Sequence, residues 1–145
     1  MKRDFAIEHG FVDFIPRELK ERTLYISIEF ATATHKCFCG CGSEVVTPIS
    51  PVDWQLTYDG ETVSLSPSIG SWSLSCRSHY WIRRNVVQWA GEMSAEEIAD
   101  VRRRDDRDRL RHYGAPVPKR TPPTGELIAA AKPKGFRRWL KGLFR

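Results

Sequence analysis

Residues 24–47 read LYISIEFATATHKCFCGCGSEVVT. Leu24, Ile26, Ile28 and Phe30 alternate with Tyr25, Ser27 and Glu29, the period of a strand with one buried face. Glu44–Thr47 is a short second run of the same kind. Outward from this stretch the pattern stays β. Trp54, Leu56 and Tyr58 alternate into Asp59-Gly60, and Val63 and Leu65 alternate out, which is a hairpin signal. His79–Ile82 and Val86–Trp89, separated by 83–85, read as a last hairpin, and Pro16–Glu21 as a single helical turn. The fold class is mainly β: a small antiparallel domain over residues 1–91, followed by a C-terminal helix and a flexible tail. A core of about 90 residues is marginal alone and benefits from a staple.

The staple candidate is His35-Lys36-Cys37-Phe38-Cys39-Gly40-Cys41-Gly42, joined by Cys76-Arg77-Ser78-His79 far downstream. Cysteines this close in sequence do not easily meet disulfide geometry with one another. Crowded thiolates repel unless a cation neutralises them, and zinc does so with four tetrahedral sulfur or nitrogen ligands. Gly40 and Gly42 allow the tight turn that aims successive sulfurs inward. Cys37, Cys39, Cys41 and Cys76 make one possible ligand set, closed and structural. Substituting His79 or His35 for a cysteine makes another, and a site with an open position would suit a zinc hydrolase.

Between the two cysteine segments lies Ser64-Leu65-Ser66-Pro67-Ser68-Ile69-Gly70-Ser71. Pro67 and Gly70 around Ser68 suggest a tight turn after a strand, a place from which a hydroxyl can act as a nucleophile. Such a serine needs a base, and histidine is the usual one. His79 and His35 flank the cysteine segments, so a metal that drew those together would bring both toward Ser68. Ser78 is the second candidate nucleophile, although adjacent Ser-His side chains on a strand point to opposite faces. Glu29 or Asp53 could orient the histidine.

The 145 residues are 41% hydrophobic and 28% charged, which excludes a mostly disordered chain. No run suits a membrane span, and Asp4, Glu8 and Asp13 interrupt the stretch where a signal peptide needs apolar residues, so the expected setting is cytoplasmic. The net charge of +5 invites a nucleic-acid reading, but its distribution argues against one. Residues 1–91 hold nine Lys/Arg and ten Asp/Glu, residues 92–131 eight of each, and residues 132–145 six basic residues and no acid. All of the excess therefore sits in the last segment, and no nucleic-acid partner is expected. Residues 92–113 are polar almost all round, with a Ser94/Glu97 capping box that starts a helix. Residues 114–134 are a proline-rich linker. In residues 135–145, Phe136, Trp139, Leu140, Leu143 and Phe144 form one apolar helical face among basic residues, suited to a partner groove or an anionic membrane surface.

Taken together, H-x-C-x-C-G-C-G at 35–42, S-P-S-I-G at 66–70 and C-x-S-H-Y-W at 76–81 resemble the BubE-type peptidase family of bacterial ubiquitin-like conjugation operons. The resemblance covers about residues 5–90. It implies a deubiquitinase-like peptidase of serine type, with zinc as cofactor, that processes or removes a ubiquitin-like protein. The implied partners are that protein and its E1/E2-like enzymes, in a system linked to phage defence. It supports the cysteine cluster and directs attention to Ser68, Ser78, His79 and His35. One departure is Ser71, where the family pattern often has Asn, a residue able to donate to an oxyanion. The competing readings are a zinc-dependent metallohydrolase and a non-catalytic module that binds the ubiquitin-like protein or its conjugation enzymes.

Overall fold

The computed structural model describes residues 2–114. The proline-rich linker beyond Gly114 and the basic apolar segment lie outside the described residues. Nine strands and one helix run in the order β1 (Phe5–Ala6), β2 (Glu8–Phe11), β3 (Thr23–Ser27), β4 (Thr32–Lys36), β5 (Glu44–Pro48), β6 (Gln55–Tyr58), β7 (Val63–Gly70), β8 (His79–Arg83), β9 (Val86–Trp89) and α1 (Ala95–Tyr113). One sheet has the order β1-β9-β8-β7-β6 and the other β2-β3-β4-β5. The architecture is mainly β, as the alternation implies.

Both sheets feed a single core. Leu24, Ile26 and Ala33 from one sheet cluster with Val63, Leu65, Ile69, Tyr80, Ile82 and Val87 from the other. Each fully buried aliphatic side chain stabilises by roughly 1.5–3 kcal/mol relative to exposure. The chain crosses between sheets at Ile7, which is buried, donates its N–H to the Asn85 carbonyl at 2.8 Å, and is followed by Glu8 donating to the Arg22 carbonyl at 2.9 Å. The β8–β9 loop is a two-residue turn in which Arg84 and Asn85 both have positive φ (47° and 59°), the conformation that matches strand twist. Asn85 then uses its side chain to accept from Val63 N–H at 2.8 Å.

Three expectations need correction. The domain is not wholly antiparallel: β2 runs parallel to β3, because the long connection after Phe11 carries the chain back before β3 begins. Ile28 and Phe30 do not continue the buried face of β3; they are 64% and 54% exposed. The strand stops at Ser27, whose hydroxyl donates to the Asp13 carbonyl and accepts from Phe30 N–H, and Ala31 takes a positive φ in the turn to β4. Pro16–Glu21 is irregular rather than helical, held by the buried Leu19 and by Lys20 N–H donating to the Tyr25 hydroxyl.

The Ser94/Glu97 capping box forms in both directions, and α1 ends at Gly114 in the left-handed conformation. Ile98 is the buried residue of this helix. Near its other end, Arg109 donates twice to Asp53 Oδ1, from Nε at 2.9 Å and Nη2 at 2.7 Å.

A candidate serine–histidine site beside a four-cysteine cluster

The first sulfurs come from the turn between β4 and β5. Cys37 N–H donates to the Ser43 carbonyl at 2.7 Å, and Gly40 N–H to the Cys37 carbonyl at 3.1 Å. Gly40 and Gly42 have φ of 88° and 80°, the left-handed region that glycine enters without strain. Cys76 arrives from the loop between β7 and β8. The four sulfurs lie within 4.8 Å of one another, with Cys37–Cys39 at 3.4 Å and Cys37–Cys76 at 3.8 Å. A tetrahedral ion with metal–sulfur bonds of about 2.3 Å needs sulfur–sulfur edges of about 3.8 Å, so the set fits such an ion. All four cysteines are free of disulfides. Burial pushes the Cys37 thiol up to about 12, whereas hydrogen bonds at Ser43 hold Cys41 down to about 6. At Cys76 burial works upward, but the polar groups of Ser78, Cys39 and Cys37 together outweigh it and hold the thiol below its ordinary value.

Neither histidine joins this group. His35 is fully buried, stacked on Phe38 at 4.4 Å, with Nε2 2.7 Å from the Tyr80 hydroxyl. Burial lowers its pKa to about 3, so the ring stays neutral. It does not approach Ser68. Ser78 is also fully buried, and its hydroxyl has no hydrogen-bond partner among the described residues.

Ser68 and His79 come together on the outer face of the other sheet. Ile69 is buried opposite Tyr80, and Gly70 stands opposite His79. Strand alternation therefore turns Ser68 and Gly70 outward on the face that carries His79. Between Leu65↔Ile82 and Ile69↔Tyr80 the register shifts, leaving β7 with more residues than β8. Ser68 thus lies in an irregular stretch of strand rather than in the expected tight turn. The result is a Ser68 Oγ to His79 Nε2 distance of 2.8 Å, a diagonal cross-strand pair.

The other ring nitrogen, Nδ1, lies 2.9 Å from the Gly91 carbonyl oxygen. A carbonyl only accepts, so Nδ1 carries the proton in the neutral ring and Nε2 offers its lone pair to the Ser68 hydroxyl. That is the tautomer a general base requires. The orienting group is a main-chain carbonyl, not Glu29 or Asp53. Glu29 is exposed in the β3–β4 turn, and Asp53 is engaged by Arg109 and Ser50. A carbonyl in this role has no side-chain signature, which is why sequence reasoning missed Gly91.

Trp72 packs on the His79 ring at 5.0 Å. The indole occupies the place a Cβ at Gly70 would take, at 2.3 Å, so Gly70 is required by its neighbour. Ser71 is buried, and its N–H donates to the Ser78 carbonyl at 2.8 Å. Its hydroxyl is enclosed and has no hydrogen-bond partner among the described residues. A cleft of about 800 Å³ opens beside His79, lined by Trp72, Trp89, Met93, Arg77 and Cys76 among others.

The model of the family described as bacterial ubiquitination-like system serine protease (BubE) matches residues 11–90. The chain belongs to the BubE family. The matched stretch contains all four cysteines, Ser68 and His79, and ends just before Gly91 and α1. No curated protein and no solved structure matches the chain. Among the described residues no helix is long and apolar enough to cross a membrane.

Proposed function

We propose that this chain is a serine-type peptidase, deubiquitinase-like, that cleaves an acyl bond made by the C-terminus of a bacterial ubiquitin-like protein. The observation that carries the reading is the pair of contacts on His79: Nε2 to Ser68 Oγ at 2.8 Å and Nδ1 to the Gly91 carbonyl at 2.9 Å. Ser68 Oγ attacks the carbonyl carbon while its proton passes to His79 Nε2. A main-chain N–H on the irregular stretch beside Ser68 meets the developing oxyanion. His79 then gives the proton to the leaving group, and an ester on Ser68 remains. A water attacks that ester with His79 again as base, releasing the acid and restoring the hydroxyl.

The metal in this reading is zinc, held by Cys37, Cys39, Cys41 and Cys76. Four thiolates complete a tetrahedral shell, which suits a structural site and leaves no position for a catalytic water. Bound there, zinc ties the β4–β5 turn to the loop entering β8, the strand that begins with His79. Residues 1–91 form the catalytic unit, working in the cytoplasm with the ubiquitin-like protein and its E1/E2-like enzymes, in a phage-defence setting. The family description, a ubiquitination-like system, supports these partners.

Incubating Ser68→Ala with a precursor or conjugate of the ubiquitin-like protein, followed by mass spectrometry, tests the assignment. The variant is expected to lose cleavage with its metal content unchanged. Full activity would transfer the nucleophile's role elsewhere, and Ser78→Ala would be examined next.

A further inference from the structure

Strand β7 has two halves with different surroundings. Over Val63–Ser66 it is paired with β6 on one side, and on the other Leu65 pairs with Ile82 of β8. The β6 pairing ends at Gln55↔Ser66. Residues before Gln55 do not continue along β7. They turn toward β5 instead: Trp54 bridges Ile49, its N–H donates to the Pro48 carbonyl at 3.1 Å, and its carbonyl accepts from Ser50 N–H at 3.1 Å. The outer edge of Pro67–Gly70 therefore lacks a neighbouring strand among the described residues.

The direction of the peptide groups there follows from the ladder. Ser71 N–H donates toward β8, to Ser78, at 2.8 Å, and the His79 carbonyl points away from β7, accepting from Ala90 N–H at 2.9 Å. Gly70↔His79 is thus a pair that exchanges no hydrogen bonds, so the N–H and C=O of Gly70 both face outward. No side chain among the described residues bonds to either group. This is an unpaired sheet edge, of the kind that takes up an extended chain, and it lies on the same few residues as Ser68. Ser66 and Pro67 are exposed, which leaves the approach clear.

We propose that the Pro67–Gly70 edge of β7 is the docking site for the acyl-donor segment of the substrate, which binds as an added strand. The partner is an extended, unstructured peptide. It is recognised first through its backbone, in pairing with Gly70, and its scissile carbonyl leaves the added strand to reach Ser68 on the adjacent face. The inference rests on Ser68 and His79 being the catalytic pair, but it makes a separate statement about how substrate is held. It explains why β6 stops where it does: a full-length β6 would occupy the edge.

The test uses the full chain with Ser68→Ala, to prevent turnover, and a synthetic peptide of the last ten residues of the ubiquitin-like protein from the same system. Each peptide residue is N-methylated in turn, and binding is followed by NMR. Strand addition predicts that the Gly70 amide shifts and becomes protected from exchange. It also predicts that binding weakens tenfold or more at alternate peptide positions, because only every second N–H of an added strand faces its neighbour. Losses at consecutive positions, no perturbation at Gly70, or no binding at millimolar peptide would overturn the proposal. Cleavage by the unsubstituted protein is measured alongside with the same peptides. Activity that depends on Ser68 without the alternating pattern removes the docking mode and leaves the catalytic reading standing. The alternating pattern with activity intact in Ser68→Ala does the reverse.

Discussion

His79 holds its Nδ1 proton against the Gly91 carbonyl oxygen, 2.9 Å away, and not against a carboxylate. The carbonyl fixes ring and tautomer, yet it carries no full charge with which to stabilise the imidazolium. His79→Gln is expected to lower kcat/KM roughly 10³-fold or more, while the thermal midpoint moves little, because the ring is only partly buried on the sheet's outer face. Nitrogen NMR of the neutral protein should show the proton on Nδ1. A proton on Nε2 would contradict the base assignment.

Metal removal should act on structure before chemistry. The Cys37 thiol, pushed up to about 12 by burial, must lose its proton to ligate. Metal binding therefore releases protons, and apparent affinity falls as pH falls. Competition with a chelator at pH 8, 7 and 6 should show steadily weaker retention, with about one zinc per chain before chelation. Cys76→Ala should lower the thermal midpoint and raise KM, since Cys76 also lines the cleft beside His79. A metal-free protein with an unchanged midpoint would remove the staple from the account.

The β6–β7 loop offers a pH test remote from the site. Asp59 accepts from the hydroxyl and N–H of Thr62 and from Glu61 N–H, and these bonds lower its pKa from 3.8 to about 2. The folded carboxylate holds its proton less tightly than the unfolded one. Its stabilising effect is therefore present above about 4 and is lost as pH falls toward about 2. Asp59→Ala should flatten the acid limb of a stability profile measured by denaturant unfolding at pH 2–5. An unchanged acid limb would show that the loop carboxylate makes no contribution.

Alternation made the strands of the core legible, and the cysteine spacing made the cluster legible, because both are local patterns. The meeting of Ser68 with His79 depends on the register shift in β7, which no periodicity encodes. Ser78 and His35 looked equivalent to Ser68 and His79 in sequence; burial separates them, since both are fully enclosed on the core side. Ile28 and Phe30 continue a perfect alternation but lie past the residue where Ser27 bonds across to Asp13 and ends the strand. The parallel β2–β3 pair follows from how a long connection returns, which is a tertiary choice.

Asp53 resembles a catalytic orienter in sequence, yet it is the anchor for α1. Its side chain is 11% exposed, and it receives Arg109 from the helix and the Ser50 hydroxyl from its own loop. Arg109→Ala leaves that carboxylate short of its charged partner, at an expected cost of about 1–2 kcal/mol. Asp53→Asn combined with Arg109→Leu should unfold earlier on heating and still cleave at an undiminished rate at low temperature. A large fall in kcat for that pair would mean that Asp53 reaches the histidine after all.

Gly70 and Trp72 supply the sharpest test of packing at the site. An alanine at 70 places its Cβ 2.3 Å from the indole, a contact that forces Trp72 to move. Gly70 has no positive φ, so the strain is steric and belongs to that one neighbour. Trp72 packs against the His79 ring at 5.0 Å, and displacing it loosens the histidine that Ser68 depends on. Gly70→Ala should therefore cost about 1–3 kcal/mol of stability and on the order of tenfold to a hundredfold in kcat, because small displacements of catalytic groups are costly. Trp72→Leu removes the obstructing ring. Placed in the Gly70→Ala background, it should recover part of the lost stability, where two independent substitutions would simply add. Strict additivity in urea melts of the single and double variants would show that the indole is not what makes glycine necessary at this position.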